Sequence, residues 1–201
     1  MKTRLSLHVM ILSALVFLMG CTPASDRGTP GNEGDPLVVF LVRHAEKVDQ
    51  SQNPDLSRDG YQRAEELACV LADADIERVH SSDFIRTRLT AVPVAEKYGL
   101  EIELYDQNDL LPFADLLKAA GGRHLVVGHS TTTPALVAIL GGDPGSKIKE
   151  ENEYDRLYIL TIRKGKVNTI LLRYGKPCSS LPSSINASSL VVPQTSSSAL
   201  N

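Results

Sequence analysis

Short β-branched runs alternate with segments of helical period between residues 37 and 174, and that alternation predicts an α/β sheet with parallel pairings. Residues 37–42 form a continuous apolar run, which suits a strand covered on both faces. Ala64, Leu67, Ala68 and Leu71 then recur at helical spacing on one face. A short strand over 78–80 leads to a second helix with Ile85, Leu89 and Val92 on one side, kinked or interrupted at Pro93 and ended by Gly99. A strand over 101–104 precedes a helix carrying Leu110, Ala114 and Leu117, stopped by Gly121 and Gly122. Residues 125–127 read as a buried strand, followed by a helix with Thr133 as N-cap and Pro134 in its first turn, closing at Gly141 and Gly142. Two last runs, 157–162 and 167–172, flank Lys164-Gly165-Lys166 as a β-hairpin. The expected architecture is a three-layer α/β/α sandwich with a mostly parallel central sheet and a C-terminal hairpin.

The ends of the chain follow a different pattern. Lys2 and Arg4 precede an apolar stretch over 5–19 that runs into Gly20-Cys21, so residues 1–20 read as a secretion signal. A small residue followed at once by Cys resembles the lipobox of bacterial lipoproteins, which implies lipidation of Cys21 and a domain held on the bacterial cell envelope, outside the cytoplasm. Residues 21–36, rich in Gly, Pro, Asp and Ser, read as a flexible tether, and residues 175–201, crowded with Ser, as a disordered tail. The folded part is therefore one domain over 37–174. Among 201 residues, 21 Lys and Arg against 24 Asp and Glu leave a net charge of -3, which argues against a dedicated nucleic-acid binder. Three cysteines are too few for a core stapled by disulfides. Cys69, on a helix beside Val70, reads as a small core residue; whether it pairs with Cys178 the sequence leaves open.

In open α/β sheets ligands bind beyond the carboxyl ends of the strands, and four polar segments fall there. They are Arg43-His44-Ala45-Glu46, Ser81-Ser82-Asp83 with Arg86, Tyr105-Asp106, and Gly128-His129-Ser130. Two arginines, two histidines and a carboxylate at one rim have a shared chemistry. Guanidinium forks bind phosphate oxygens, imidazole is a nucleophile, and a carboxylic acid can protonate a leaving alkoxide. His80 and His124 lie before the rim and read as strand-edge residues, whereas Glu46 and Ser81 are candidates to line the pocket.

These segments resemble the histidine phosphatase, or phosphoglycerate mutase-like, superfamily, in its small phosphatase branch. The resemblance rests on Leu41-Val42-Arg43-His44-Ala45-Glu46, Leu56-Ser57 with Gly60, Ser81-Ser82 with Arg86 and Thr90-Ala91, and Val127-Gly128-His129-Ser130, in the family's order. It implies a phosphomonoester hydrolase in which His44 is phosphorylated, Arg43, Arg86 and His129 hold the phosphoryl oxygens, and water releases phosphate. No cofactor or metal is implied. In the mutase-like branch the proton donor is a Glu two residues after a Leu; Leu104-Tyr105-Asp106 has that form with Asp, so Asp106 is the expected acid, with Asp109 and Asp83 as rivals. The stretch from Asp106 to His129 is short for a mutase, which favours hydrolysis of a phosphorylated small molecule or phosphoprotein over phosphotransfer, with a non-catalytic phospho-ligand module as a further alternative. A serine hydrolase is disfavoured: Thr132 stands where a nucleophile elbow needs Gly, and no histidine follows His129. Nor does the chain carry a His-Glu-x-x-His zinc signature.

Overall fold

Residues 36–175 are described by the computed structural model; Cys21, Cys178, the expected signal, the tether and nearly all of the expected tail lie outside them. The elements run β1 (Leu37–Arg43), α1 (Arg58–Val70), β2 (Arg78–Ser82), α2 (Ile85–Tyr98), β3 (Ile102–Tyr105), α3 (Leu110–Ala120), β4 (Arg123–Gly128), α4 (Thr132–Ile139), β5 (Arg156–Arg163) and β6 (Lys166–Arg173). They build one sheet in the order β3-β2-β4-β1-β5-β6. The first four strands of that order are mutually parallel, while β5 is antiparallel to both β1 and β6. The crossover helices therefore cover both faces. Among the described residues, no helix is long and apolar enough to cross a membrane.

β1 shows why its run is apolar without interruption. Val38, Phe40 and Val42 pack into one core with Leu67, Ala68, Ala91 and Val94 from α1 and α2. Leu37, Val39 and Leu41 point the other way, into a second core with Phe113, Leu117, Leu136 and Val137 from α3 and α4. Period-two alternation thus feeds two cores from one strand, and burying such side chains contributes about 1.5–3 kcal/mol each.

Several local expectations give way to polar packing. Pro93 lies inside α2 without ending it, and the helix buries Thr87, Thr90, Ala91, Val94 and Ala95 while Ile85 is exposed. The threonines can face inward because their hydroxyls are bonded: Thr87 donates to the carbonyl of Ser82 and Thr90 to that of Arg86. α4 begins after Thr131, so Thr133 is not its N-cap; the buried Thr133 hydroxyl donates instead to the Val42 carbonyl of β1. Cys69 is exposed on α1, not in the core. His80 and His124 are not at a strand edge: they stack inside the sheet layer, 2.9 Å apart between Nε2 and Nδ1.

The Leu56-Ser57-Gly60 motif proves to be a staple. Ser57 caps α1 by accepting from the Gly60 amide, and its own amide donates to the Glu46 carbonyl at 2.9 Å. Gly60 lies so close that a Cβ there would stand 2.3 Å from the same carbonyl oxygen. The Glu46 carboxylate takes Arg63 of α1 in a fork, with contacts of 2.6 to 2.9 Å. We expect Gly60→Ala to destabilise the fold by about 1–3 kcal/mol, because backbone must move to admit the methyl group. Urea unfolding checks this, and an unchanged midpoint would show that the segment after β1 is not held by this contact.

Candidate active site

The carboxyl ends of β1, β2 and β4 lie beside one another, and their last residues carry the chemistry. Arg43 closes β1 opposite Gly128 of β4, and the His44 amide donates to the Gly128 carbonyl at 2.9 Å. The next amide, Ala45, donates to Thr90 Oγ1 at 2.9 Å, which ties the turn to α2 and hence to Arg86 one turn earlier. Four side chains distant in sequence are brought together in this way.

His44 is buried, and its Nδ1 lies 2.7 Å from the Ala45 carbonyl. A carbonyl only accepts, so Nδ1 carries the hydrogen and Nε2 keeps its lone pair. The ring is 5.5 Å from that of His129. On His129, Arg86 Nη2 approaches Nδ1 at 3.4 Å as a donor, which leaves the hydrogen on Nε2, 2.9 Å from Ser82 Oγ. Ser82 Oγ in turn lies 3.2 Å from Thr87 Oγ1, so His129 is oriented by a run of hydroxyls ending on backbone. Burial pushes the His44 pKa down to about 2, against the Ala45 bond and with help from Arg43, His129 and Arg86. Burial, then Arg86 and Arg43, lower that of His129 to about 4. Both rings are neutral at ordinary pH.

Arg43 is 1% exposed and touches no carboxylate among the described residues. Its Nη1 donates to the carbonyls of Glu153 at 3.1 Å and Lys149 at 3.4 Å, and its guanidinium lies 4.1 Å from the centre of the Tyr154 ring. Arg43 Nε and Nη2 and Arg86 Nε are buried without hydrogen-bond partners. Buried donors left unpaired are costly, so the cluster is built to receive acceptor oxygens. Burial also lowers the pKa of both guanidiniums, which nonetheless stay charged at neutral pH.

Of the expected residues, Arg43, His44, Arg86 and His129 converge; Asp106 does not join them. Its exposed carboxylate accepts from the amide of Asn108 at 2.8 Å and from the Asn108 side chain at 3.1 Å, closing a turn after β3. β3 is three places from β1 in the sheet, roughly 14 Å at the usual strand spacing. Asp109 is exposed before α3, and Asp83 is paired with Arg88 at 2.8 Å. Ser81 is fully buried and donates to the Ser82 carbonyl. Sequence reading missed Tyr154 and the carbonyls of Lys149 and Glu153, which belong to no motif and meet Arg43 only through the chain reversal before β5. Among the described residues, no group of three or more His, Cys, Asp or Glu could hold a metal ion.

The model of the histidine phosphatase superfamily (branch 1) matches residues 39–107. No curated protein matches the chain. Among solved structures, the protein histidine phosphatase SixA, complexed with tungstate, is 23% identical with a TM-score of 0.56, over 71% of this chain and 98% of that one. Phosphoglycerate mutase from Bacillus anthracis is 16% identical with a TM-score of 0.54, over 70% of this chain and 94% of that one. A mycobacterial glucosyl-3-phosphoglycerate phosphatase is 15% identical with a TM-score of 0.52, over 71% and 100%. At such identities these likenesses establish the fold and leave activity to the site.

The depressed imidazole pKa values have a direct readout. In the unfolded chain each ring titrates near 6.5, so its contribution to stability is fully present above that pH and is lost as pH falls from about 6.5 toward the folded values. We expect the His44 and His129 ring signals in NMR to stay neutral from pH 8 down to 5.5; a midpoint near 6.5 for either ring would place it in solvent, outside the cluster.

Proposed function

We propose that the chain is a phosphatase of the histidine phosphatase superfamily, whose model matches residues 39–107, working through a phosphohistidine on His44. The observation that carries this reading is the set of unpaired, buried N–H groups on Arg43 and Arg86 around an imidazole whose Nε2 lone pair is free.

The chemistry follows from those atoms. The Nε2 lone pair of His44 forms a bond to phosphorus as the bond from phosphorus to the leaving atom breaks. The phosphorylated ring becomes cationic, and the Ala45 carbonyl on Nδ1–H stabilises that charge. Arg43 and Arg86 stabilise the equatorial oxygens, where the transition state carries its negative charge; losing one such donor typically costs about 3–4 kcal/mol of barrier. The arriving dianion raises the proton affinity of the neutral His129, which takes a proton from water on Nδ1 and then serves as a further donor. Water attacks the phosphohistidine in the second step and restores the lone pair on Nε2.

The leaving group's proton separates two substrate classes. For a phosphomonoester of an alcohol, Asp106 is the proposed acid, and it must leave its turn with Asn108 to act. A substrate whose leaving group departs without strong acid help needs no such movement. The position of Asp106 therefore favours, as a second reading, a phosphoramidate such as phosphohistidine in a protein, the substrate class named for the SixA structure. Phosphotransfer of the mutase kind draws no comparable support. The proposal keeps the domain on the cell envelope, outside the cytoplasm, through lipidated Cys21, and uses no metal.

His44→Ala is expected to lower kcat on an aryl phosphate by at least about 10³-fold, whereas chelator leaves it unchanged; turnover at the wild-type level in the variant would refute the nucleophile. Asp106→Asn is expected to change kcat for an aryl phosphate or a phosphoramidate less than threefold while slowing alkyl phosphates more than tenfold. Equal slowing on all three would show that Asp106 is not the proton donor.

A further inference from the structure

At the opposite end of the sheet from His44, a cavity of about 730 Å³ opens where β1 starts and the β5–β6 hairpin turns. Its apolar wall includes Leu37, Ile139, Leu140, Ile162 and Val167, and its mouth carries Lys118 and Lys164. Arg163 and Lys166 flank Lys164 on the same exposed hairpin tip. None of these three has an ion-pair partner among the described residues; Lys118 has only Asp115, at 3.9 Å on its own helix. β1 separates this end from the catalytic rim by on the order of 20 Å.

We propose that this end of the domain is a docking surface for an anionic phospholipid bilayer, with the hairpin cations on the headgroups and the cavity taking the interfacial part of one lipid. Two observations select that occupant. Positive charge is concentrated at an apolar opening on a chain that is negative overall, which matches an anionic amphiphile and no purely apolar or polar ligand. The chain also enters the domain at this spot: Leu37, which lines the cavity, follows 36 residues that include the apolar run over 5–19. Docking there turns the catalytic rim away from the lipid and toward substrates in the aqueous phase. The surface stands on its own charges and shape, independently of the phosphatase reading and of Cys21 lipidation.

The chain contains no tryptophan, so Val167→Trp in the full chain places a single reporter at the half-buried mouth of the cavity. The expected result is a blue shift and loss of acrylamide quenching on vesicles containing phosphatidylglycerol, and neither on vesicles of phosphatidylcholine alone. Adding Lys164→Ser and Lys166→Ser should raise the phosphatidylglycerol vesicle concentration at half-maximal shift roughly 25-fold, about fivefold per cation. The same response on both kinds of vesicle, no response on either, or a response unaffected by loss of the lysines overturns the proposal. Loss of the response on Lys2→Ser and Arg4→Ser instead, with the hairpin intact, assigns the charge dependence to the amino-terminal segment and overturns it equally. Circular dichroism of each variant confirms that the fold persists, and aryl phosphate turnover is read separately.

Discussion

A buried guanidinium with no carboxylate partner among the described residues sets the terms for the rest of this molecule. Arg43 ends the central strand at 1% exposure, held by two carbonyls and the face of Tyr154. An uncompensated buried charge costs several kcal/mol, so a fold keeps one only if packing elsewhere offsets it. Here the offset comes from two apolar cores that share β1. The nearest carboxylate in sequence is kept from quenching the charge: Glu46, three residues on, is taken in a fork by Arg63 and fastened through Ser57 and Gly60. Burial first, and the positive potential with it, hold His44 and His129 neutral, which preserves a nucleophilic lone pair. One unpaired cation thus links the stability of the strand, the pKa of the nucleophile and the affinity for an oxyanion.

The layers and strand order follow from features that a linear pattern carries well. The uninterrupted apolar run of β1, the glycine stops after α2 and α3 and the Lys-Gly turn of the hairpin each express a local constraint, and the elements stand where these place them. What the pattern hides is polar burial. Thr133 reads as a helix cap in one dimension, yet it spends its hydroxyl on the Val42 carbonyl across the fold, while Thr87 and Thr90 pack inward by bonding carbonyls five and four residues back. His80 and His124 are unremarkable apart in the chain and become a bonded pair only through the register of β2 against β4. Cys69 is the converse case, a residue usually buried that falls on the solvent side of α1.

The same division applies to the site. Arg43, His44, Arg86 and His129 each follow or end a strand, so strand order alone assembles them, and motif spacing made them visible. Tyr154 and the carbonyls over Arg43 come from the irregular segment before β5, where backbone atoms act and residue type says little. Asp106 shows the limit of spacing in the other direction. It occupies the expected position after a strand, and its carboxylate is engaged by the turn it begins. The proton donor is therefore the part of the chemistry in which substrate and enzyme must be considered together, since an imidazole or phenolate leaving group asks far less of it than an alkoxide.

The most direct test of the central claim is acid or base quenching of the protein during turnover of a phosphoryl donor, followed by peptide mass spectrometry. Phosphorus on the ring of His44, stable to base and labile to acid, with less of it when Arg43 is replaced by Met, is the result predicted. Steady turnover with no phosphoryl group on His44, or with the group on Ser82, Ser130 or His129 instead, would contradict it.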